Sequence, residues 1–167
     1  KSSLYADFGS RIGLYRYDGS NWTILSESDA EALAGTGSDL YVDFGSSGLY
    51  RYSGEALEQV NKLNAEGLFG TESILYADFG PEGGLQSFDG SRWLQISKSN
   101  PEGMAAVGAD LYVDFGTLGL YRYTAGSLKK VNNGNAEGLC AAGGNLYVDF
   151  GLSGGGLYEY DGAILKK

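Results

Sequence analysis

Five aspartates recur in one hexapeptide, Leu-Tyr-Ala/Val-Asp-Phe-Gly: Asp7, Asp43, Asp78, Asp114 and Asp149. Four glutamates recur in a second string: Glu31, Glu66, Glu102 and Glu137 each stand two residues after Asp29, Asn64, Asn100 or Asn135. A third set is aromatic. Tyr15, Tyr50, Tyr121 and Tyr158 fill one position of a Gly-Leu-Tyr-x-Tyr string, with Gln86 in the remaining copy. Carboxylates mixed with aromatic rings suit two chemistries. They can hold a cation, or they can accept hydrogen bonds from sugar hydroxyls while a ring stacks on the sugar face.

Two catalytic readings fail. Asp-Phe-Gly holds magnesium in protein kinases, but a kinase also needs a His-Arg-Asp loop, and this chain has no histidine. Paired carboxylates hydrolyse glycosides only when one asymmetric pair has its pKa values pushed apart. Near-identical copies instead suit several weak, equivalent binding sites, so the chain is expected not to be an enzyme. There is no Asp-x-Asp-x-Asp-Gly calcium loop, and no metal or other cofactor is assigned. Structural work competes for the same residues. A carboxylate beside a tight turn accepts backbone N–H bonds, and an Asn two residues before a Glu caps a turn. Arg16, Arg51 and Arg122 are candidate ion-pair partners of the repeated Asp, but Ser87 and Glu159 replace them where Asp78 and Asp149 remain, so arginine pairing is not the only reason for the Asp. Both roles stay open at these positions.

The elements that must carry these residues follow from the repetition. The hexapeptide starts at Leu4, Leu40, Leu75, Leu111 and Leu146, spacings of 36, 35, 36 and 35. Each copy reads as short strands with period-two alternation: Leu40, Val42 and Phe44 on one face, Tyr41 and Asp43 on the other. Asp18-Gly19, Asp89-Gly90 and Asp161-Gly162 are hairpin turns. Helical repeats of similar period are excluded, because 28 glycines and alternating tyrosines leave no 3.6-residue apolar stripe. Four short strands joined by tight turns are the unit of a propeller blade. The predicted fold is an all-β, five-bladed β-propeller of four-stranded antiparallel meander blades, a single repeat domain over 1–167. A β-solenoid of the same strands is the competing arrangement. In meander order the Asp set and the Glu set converge on one rim, and the Asp-Gly turns decorate the other. Cys140 aligns with Ala34, Phe69 and Ala105 and is expected to be a small buried hydrophobe.

Composition narrows the partners. A formal net charge of −9 argues against nucleic acid, and no apolar run spans a bilayer. A single cysteine excludes an internal disulfide. The chain starts at Lys1 just before a second strand and ends at Lys167 inside a fourth. The first blade is therefore expected to lack its innermost strand. Completion by a partner chain, or continuation in a longer array, is favoured over a self-sufficient monomer.

The Leu-Tyr-x-Asp-Phe-Gly, Gly-Leu-Tyr-x-Tyr-Asp-Gly and Trp-x-x-Leu strings resemble the short-repeat β-propellers of bacterial extracellular proteins. More loosely they are similar to the tachylectin-2 type of five-bladed propeller lectin. That resemblance implies an extracellular or cell-surface location and sugar sites between adjacent blades. The expected function is a lectin-like or adhesive module whose partner is a glycan or another protein, with self-association through the incomplete first blade and a structural assembly role as the alternative.

Overall fold

The computed structural model describes residues 3–37 and 39–167. Lys1, Ser2 and Ser38, which help to set the phase of the first repeat, lie outside the described residues.

The architecture is all-β and belongs to the five-bladed β-propeller class, with one antiparallel meander sheet per repeat. The first sheet has three strands, β1 (Leu4–Asp7), β2 (Leu14–Tyr17) and β3 (Trp22–Ser26). The second holds β4 (Ala32–Thr36), β5 (Asp39–Asp43), β6 (Leu49–Tyr52) and β7 (Leu57–Asn61). The third holds β8 (Gly67–Gly70), β9 (Leu75–Asp78), β10 (Leu85–Phe88) and β11 (Trp93–Ser97). The fourth holds β12 (Gly103–Val107), β13 (Asp110–Asp114), β14 (Leu120–Thr124) and β15 (Ser127–Asn132). The fifth holds β16 (Gly138–Ala142), β17 (Asn145–Asp149), β18 (Leu157–Tyr160) and β19 (Leu165–Lys166). Among the described residues there are nineteen strands, and the first sheet has three, as the phase of the repeat predicts. The chain divides into two compact units, Lys1–Phe79 with Phe88–Arg92, and Gly80–Ser87 with Trp93–Lys167.

Register fixes which side chains share a face. In the second sheet Val42 lies opposite Tyr50 and Leu33, while Asp43 lies opposite Leu49 and Ala32. Because the side-chain period is two, Leu40, Val42, Tyr50 and Tyr52 form one face and Tyr41, Asp43, Leu49 and Arg51 the other. We call these the leading and trailing faces. Within the first unit the trailing Leu14 and Tyr5 pack against the leading Leu40, Val42 and Tyr52 of the second sheet. Within the second unit the trailing Ala105, Tyr112 and Leu120 meet the leading Leu146, Val148 and Tyr160. Edge-to-face rings bind the same junctions: Tyr5 with Tyr52 at 6.1 Å and Tyr112 with Tyr160 at 5.8 Å between centroids. Each buried leucine contributes about 2 kcal/mol by leaving water, so these seams dominate the core.

Two expectations need correction. Arg51 does not pair with the Asp of Asp-Phe-Gly. It donates to Asp39 (2.7 Å) and reaches the Gly90 carbonyl (3.3 Å). Arg122 likewise pairs with Asp110 and donates to the Gly162 carbonyl (3.3 Å), and Arg16 donates to Ser3 (3.0 Å). The reason is reach along the strand. Arg51 sits opposite Tyr41, equidistant in register from Asp39 and Asp43. Only the Asp39 side also offers a turn carbonyl. Arg51 and Arg122 thereby tie one sheet to the Asp-Gly turn of the next. The second correction concerns Cys140, which is exposed, whereas its counterpart Ala105 is 4% exposed. Ala105 is buried in the core shared by the fourth and fifth sheets, and Cys140, on the other face of the fifth sheet, lies outside that cluster.

Candidate functional site

The rim is built where the second strand of each sheet ends and the innermost strand begins. The backbone N–H of Glu31 donates to the Asp43 carbonyl at 2.8 Å. Glu66 to Asp78 (2.8 Å), Glu102 to Asp114 (2.8 Å) and Glu137 to Asp149 (2.7 Å) repeat the bond. The predicted convergence of the two acidic sets is therefore present in all four copies that have both.

Beyond the Asp, the chain turns sharply. Phe44 N–H donates to the Gly48 carbonyl (3.0 Å), and Phe115, Phe150 and Phe8 close the corresponding loops onto Gly119, Gly156 and Gly13. Short helical turns fill the corresponding loops of the second to fifth sheets, at Gly45–Ser47, Gly80–Gly83, Gly116–Leu118 and Gly151–Gly154. Gly45, Gly116 and Gly151 have φ near +60°, a region that disfavours a side chain. A Cβ on any of the three would also strike the carboxylate of Glu31, Glu102 or Glu137. The Gly of Asp-Phe-Gly is thus the seat on which the repeated Glu lies, and that Glu remains solvent-exposed.

The aspartates stand behind it. Asp43 is 0% exposed and Asp114 1%. Burial raises the Asp43 pKa to about 6; the N–H groups of Ala65 and Gly45 pull it down and the Glu31 charge pushes it up. Neither Asp43 carboxylate oxygen completes a well-formed hydrogen bond. Asp114 is raised for the same reasons, burial first, opposed by the N–H groups of Ala136 and Gly116; its Oδ2 accepts from Gly116 at 3.2 Å. Asp78 is 5% exposed. Asp7 and Asp149 accept from Gly9 (3.0 Å) and Gly151 (2.8 Å) and are more open. Asp29, in the connection between β3 and β4, carries a raised pKa, chiefly from desolvation and then from its hydrogen bond to Asp7.

The tyrosines occupy the opposite face from the Asp of their own sheet. Each lies edge-to-face with the Phe of its own Asp-Phe-Gly: Tyr15 with Phe8 (5.7 Å), Tyr50 with Phe44 (5.5 Å), Tyr121 with Phe115 (5.4 Å) and Tyr158 with Phe150 (5.6 Å). One side of each ring is used for this contact, and all four are half-buried. Lys130 lies 5.4 Å above the Tyr121 ring. Gln86, in the copy without a tyrosine, donates to the Gly83 carbonyl (3.2 Å).

Tyr158 faces a cleft. A cavity of about 300 Å³ is lined by Phe150, Tyr158 and Leu165 on one side and by Asn132, Gly134 and Asn135 on the other, with Ser153 and Gly154 at its edge. Its loop starts at Gly151, under the Glu137 carboxylate. Asn132 and Ser153 were not singled out by the sequence. Asn132 also accepts from Gly134 N–H (2.6 Å), which leaves its amide group to donate. Among the described residues, no group of three or more carboxylate or thiol side chains is placed to hold a metal ion.

No family model and no curated protein matches this sequence. Solved structures do match. A chain of the mitotic checkpoint complex aligns at TM-score 0.64 and 15% identity over 95% of this chain and 58% of its own. A GH74 xyloglucanase from Xanthomonas campestris gives 0.67 and 16% over 95% and 28%. The computationally designed Ika8 protein gives 0.66 and 11% over 100% and 58%. This chain therefore spans less than two thirds of each of these neighbours. At such identities the likeness is one of fold, and it supports the propeller.

Proposed function

We propose that the chain is a non-enzymatic binding module of the extracellular, lectin-like kind. It holds sugar rings weakly at a repeated rim, with the cleft between the fourth and fifth sheets as one of its sites. The observation that carries this reading is the 300 Å³ cleft lined by Tyr158, Asn132, Asn135 and Ser153. It is at the lower end of small-ligand pockets and fits one or two sugar units. A tyrosine ring offers an apolar face to the sugar's C–H surface, and amide and hydroxyl groups supply donors and acceptors for its hydroxyls. The exposed Glu31, Glu66, Glu102 and Glu137 add one acceptor per repeat at the same rim.

Catalysis is disfavoured by equivalence. Asp43 with Glu31 and Asp114 with Glu102 form the same pair twice, with the same direction of pKa shift on the buried member. A glycosidase needs one pair unlike the rest. Weak equal sites gain strength on a surface that displays many copies of the ligand.

The test is a glycan array probed at high protein density, repeated with Tyr158→Ala and Glu137→Gln. Binding to a restricted glycan set, lost about tenfold or more with Tyr158→Ala, supports the reading. An array without any bound glycan, or binding indifferent to both substitutions, overturns it.

A further inference from the structure

Cross-strand charge pairs set one sheet apart from the rest. On the trailing face, the arginine position of each repeat lies opposite one position of the outermost strand. In the first sheet Arg16 lies opposite Thr23, and in the second Arg51 lies opposite Glu58. In the fifth the signs are reversed, with Glu159 opposite Lys166. The third sheet has the uncharged Ser87 in place of the arginine. The fourth departs from all of these, because Arg122 lies opposite Lys129. Like charges directly opposite each other destabilise a sheet, and an anion lying over both relieves the repulsion. In a chain of formal net charge −9, this is a local excess of positive charge.

Among the described residues, none supplies that anion to Lys129. Arg122 is paired with Asp110 and donates to the Gly162 carbonyl at 3.3 Å. Those bonds use three of its five N–H groups and leave two to donate. The nearby Asp161 accepts from Lys166 Nζ at 2.7 Å. Lys130 belongs to the leading face, where its ammonium meets Asn133 (3.1 Å) and the Tyr121 ring. Lys129 is exposed and has no ion pair or hydrogen-bond partner among the described side chains.

The two facing cations line a cavity. Its volume is about 430 Å³, and Arg122, Thr124, Lys129, Tyr160 and Leu165 are among its walls, all within the second compact unit. Thr124 shares the face of Arg122 and brings a hydroxyl donor. The Tyr160 hydroxyl is committed to the Gly162 carbonyl (3.0 Å). A guanidinium, an ammonium and a hydroxyl around one concavity are the donor set that recognises a tetrahedral oxyanion.

We propose that this cavity is an oxyanion site, which takes a sulfate or phosphate group on Lys129, Arg122 and Thr124. The group arrives as the free ion or as an ester carried by a sugar. The site does not depend on sugar binding beside Tyr158, although Leu165 lines both cavities.

The test titrates isotope-labelled protein with sodium sulfate, and separately with glucose 6-sulfate, at an ionic strength held constant with sodium chloride. Constant ionic strength separates binding from screening. The backbone amide shifts of Thr124, Lys129 and Ala163 are expected to saturate with at least one probe. Lys129→Gln is expected to weaken that binding about tenfold or more. An ester that binds at least tenfold tighter than sulfate assigns the site to a sulfated sugar, and any smaller preference assigns it to the free ion. Lys129→Glu recreates the opposite-charge pair of Arg51 and Glu58. It is expected to bind neither probe and to melt above the wild type in buffer without sulfate. Shifts that fail to saturate with either probe, or that saturate only at other residues, overturn the proposal. So does either variant binding as tightly as the wild type, or a Lys129→Glu protein that melts below it.

Discussion

Replacing Asp43 by Asn should stabilise this protein at neutral pH. Asp43 is 0% exposed, and its folded-state pKa of about 6 stands above the ordinary 3.8. A group whose pKa is raised on folding adds stability in its neutral form. That contribution is full below about 3.8 and is lost as pH rises through about 6. At pH 7.5 the charged carboxylate therefore costs about 3 kcal/mol relative to the neutral acid. An asparagine of the same shape removes the charge and still offers its carbonyl oxygen to the N–H groups of Ala65 and Gly45. Its new NH₂ group needs an acceptor, which offsets part of the gain. The expected net stabilisation at pH 7.5 is about 1–3 kcal/mol, a rise of roughly 3–10 °C in Tm for a chain of this size. Thermal melts at pH 7.5 and 5.0 check it. The wild type should become more stable at the lower pH, and the variant should change less. A variant that melts below wild type at pH 7.5, or a wild type without any gain at pH 5.0, refutes the reasoning.

Other substitutions follow from the same geometry. Gly45→Ala should cost about 1–3 kcal/mol in chemical denaturation, because φ is +60° and the new methyl meets the Glu31 carboxylate. Gly90→Ala, with φ +91° but open space around it, separates strain from collision and should cost less. Ala125 has φ +48° in its hairpin turn, so Ala125→Asn should stabilise by up to ~1 kcal/mol in the same assay. Asp161 has its pKa lowered, first by its bond to Lys166 and then by the Ile164 and Ala163 N–H groups. Its stabilising contribution is present above the ordinary carboxylate pKa and lost as pH falls through the folded value. Asp161→Ala should therefore lower Tm at pH 7 and have less effect at pH 2, measured by melts at both.

Much of the fold was legible because the repeat compares itself. Asp18-Gly19, Asp89-Gly90 and Asp161-Gly162 make the hairpin turns expected of them, with each Asp accepting two N–H bonds from the residues that follow. Alternation at Leu40, Val42 and Tyr41, Asp43 places the faces correctly. The meeting of Glu with Asp at one rim follows from strand order alone. Side-chain detail at the rim was less accessible. Sequence spacing puts Arg51 near both Asp39 and Asp43, and only the carbonyl of Gly90 decides between them. Alignment of Cys140 with Ala105 conveys chemistry but not cover, which depends on how the sheets pack. The part played by Gly45 as the seat of Glu31 needs a positive φ and a third dimension. A signal existed all the same: Glu31, Glu102 and Glu137 each have an Asp-Phe-Gly in the same repeat.

The claim on which the functional account rests is that sugars bind at the repeated rim, chiefly beside Tyr158. Its most direct measurement is a titration of isotope-labelled protein with monosaccharides and disaccharides, followed through backbone amide shifts. The account predicts movement of Gly134, Asn135 and Gly154 first, with smaller shifts at Gly45 and Gly116 at higher ligand concentration. Shifts confined to the Asp-Gly turns at Gly19, Gly90 and Gly162, or to a single position away from the rim, would contradict it.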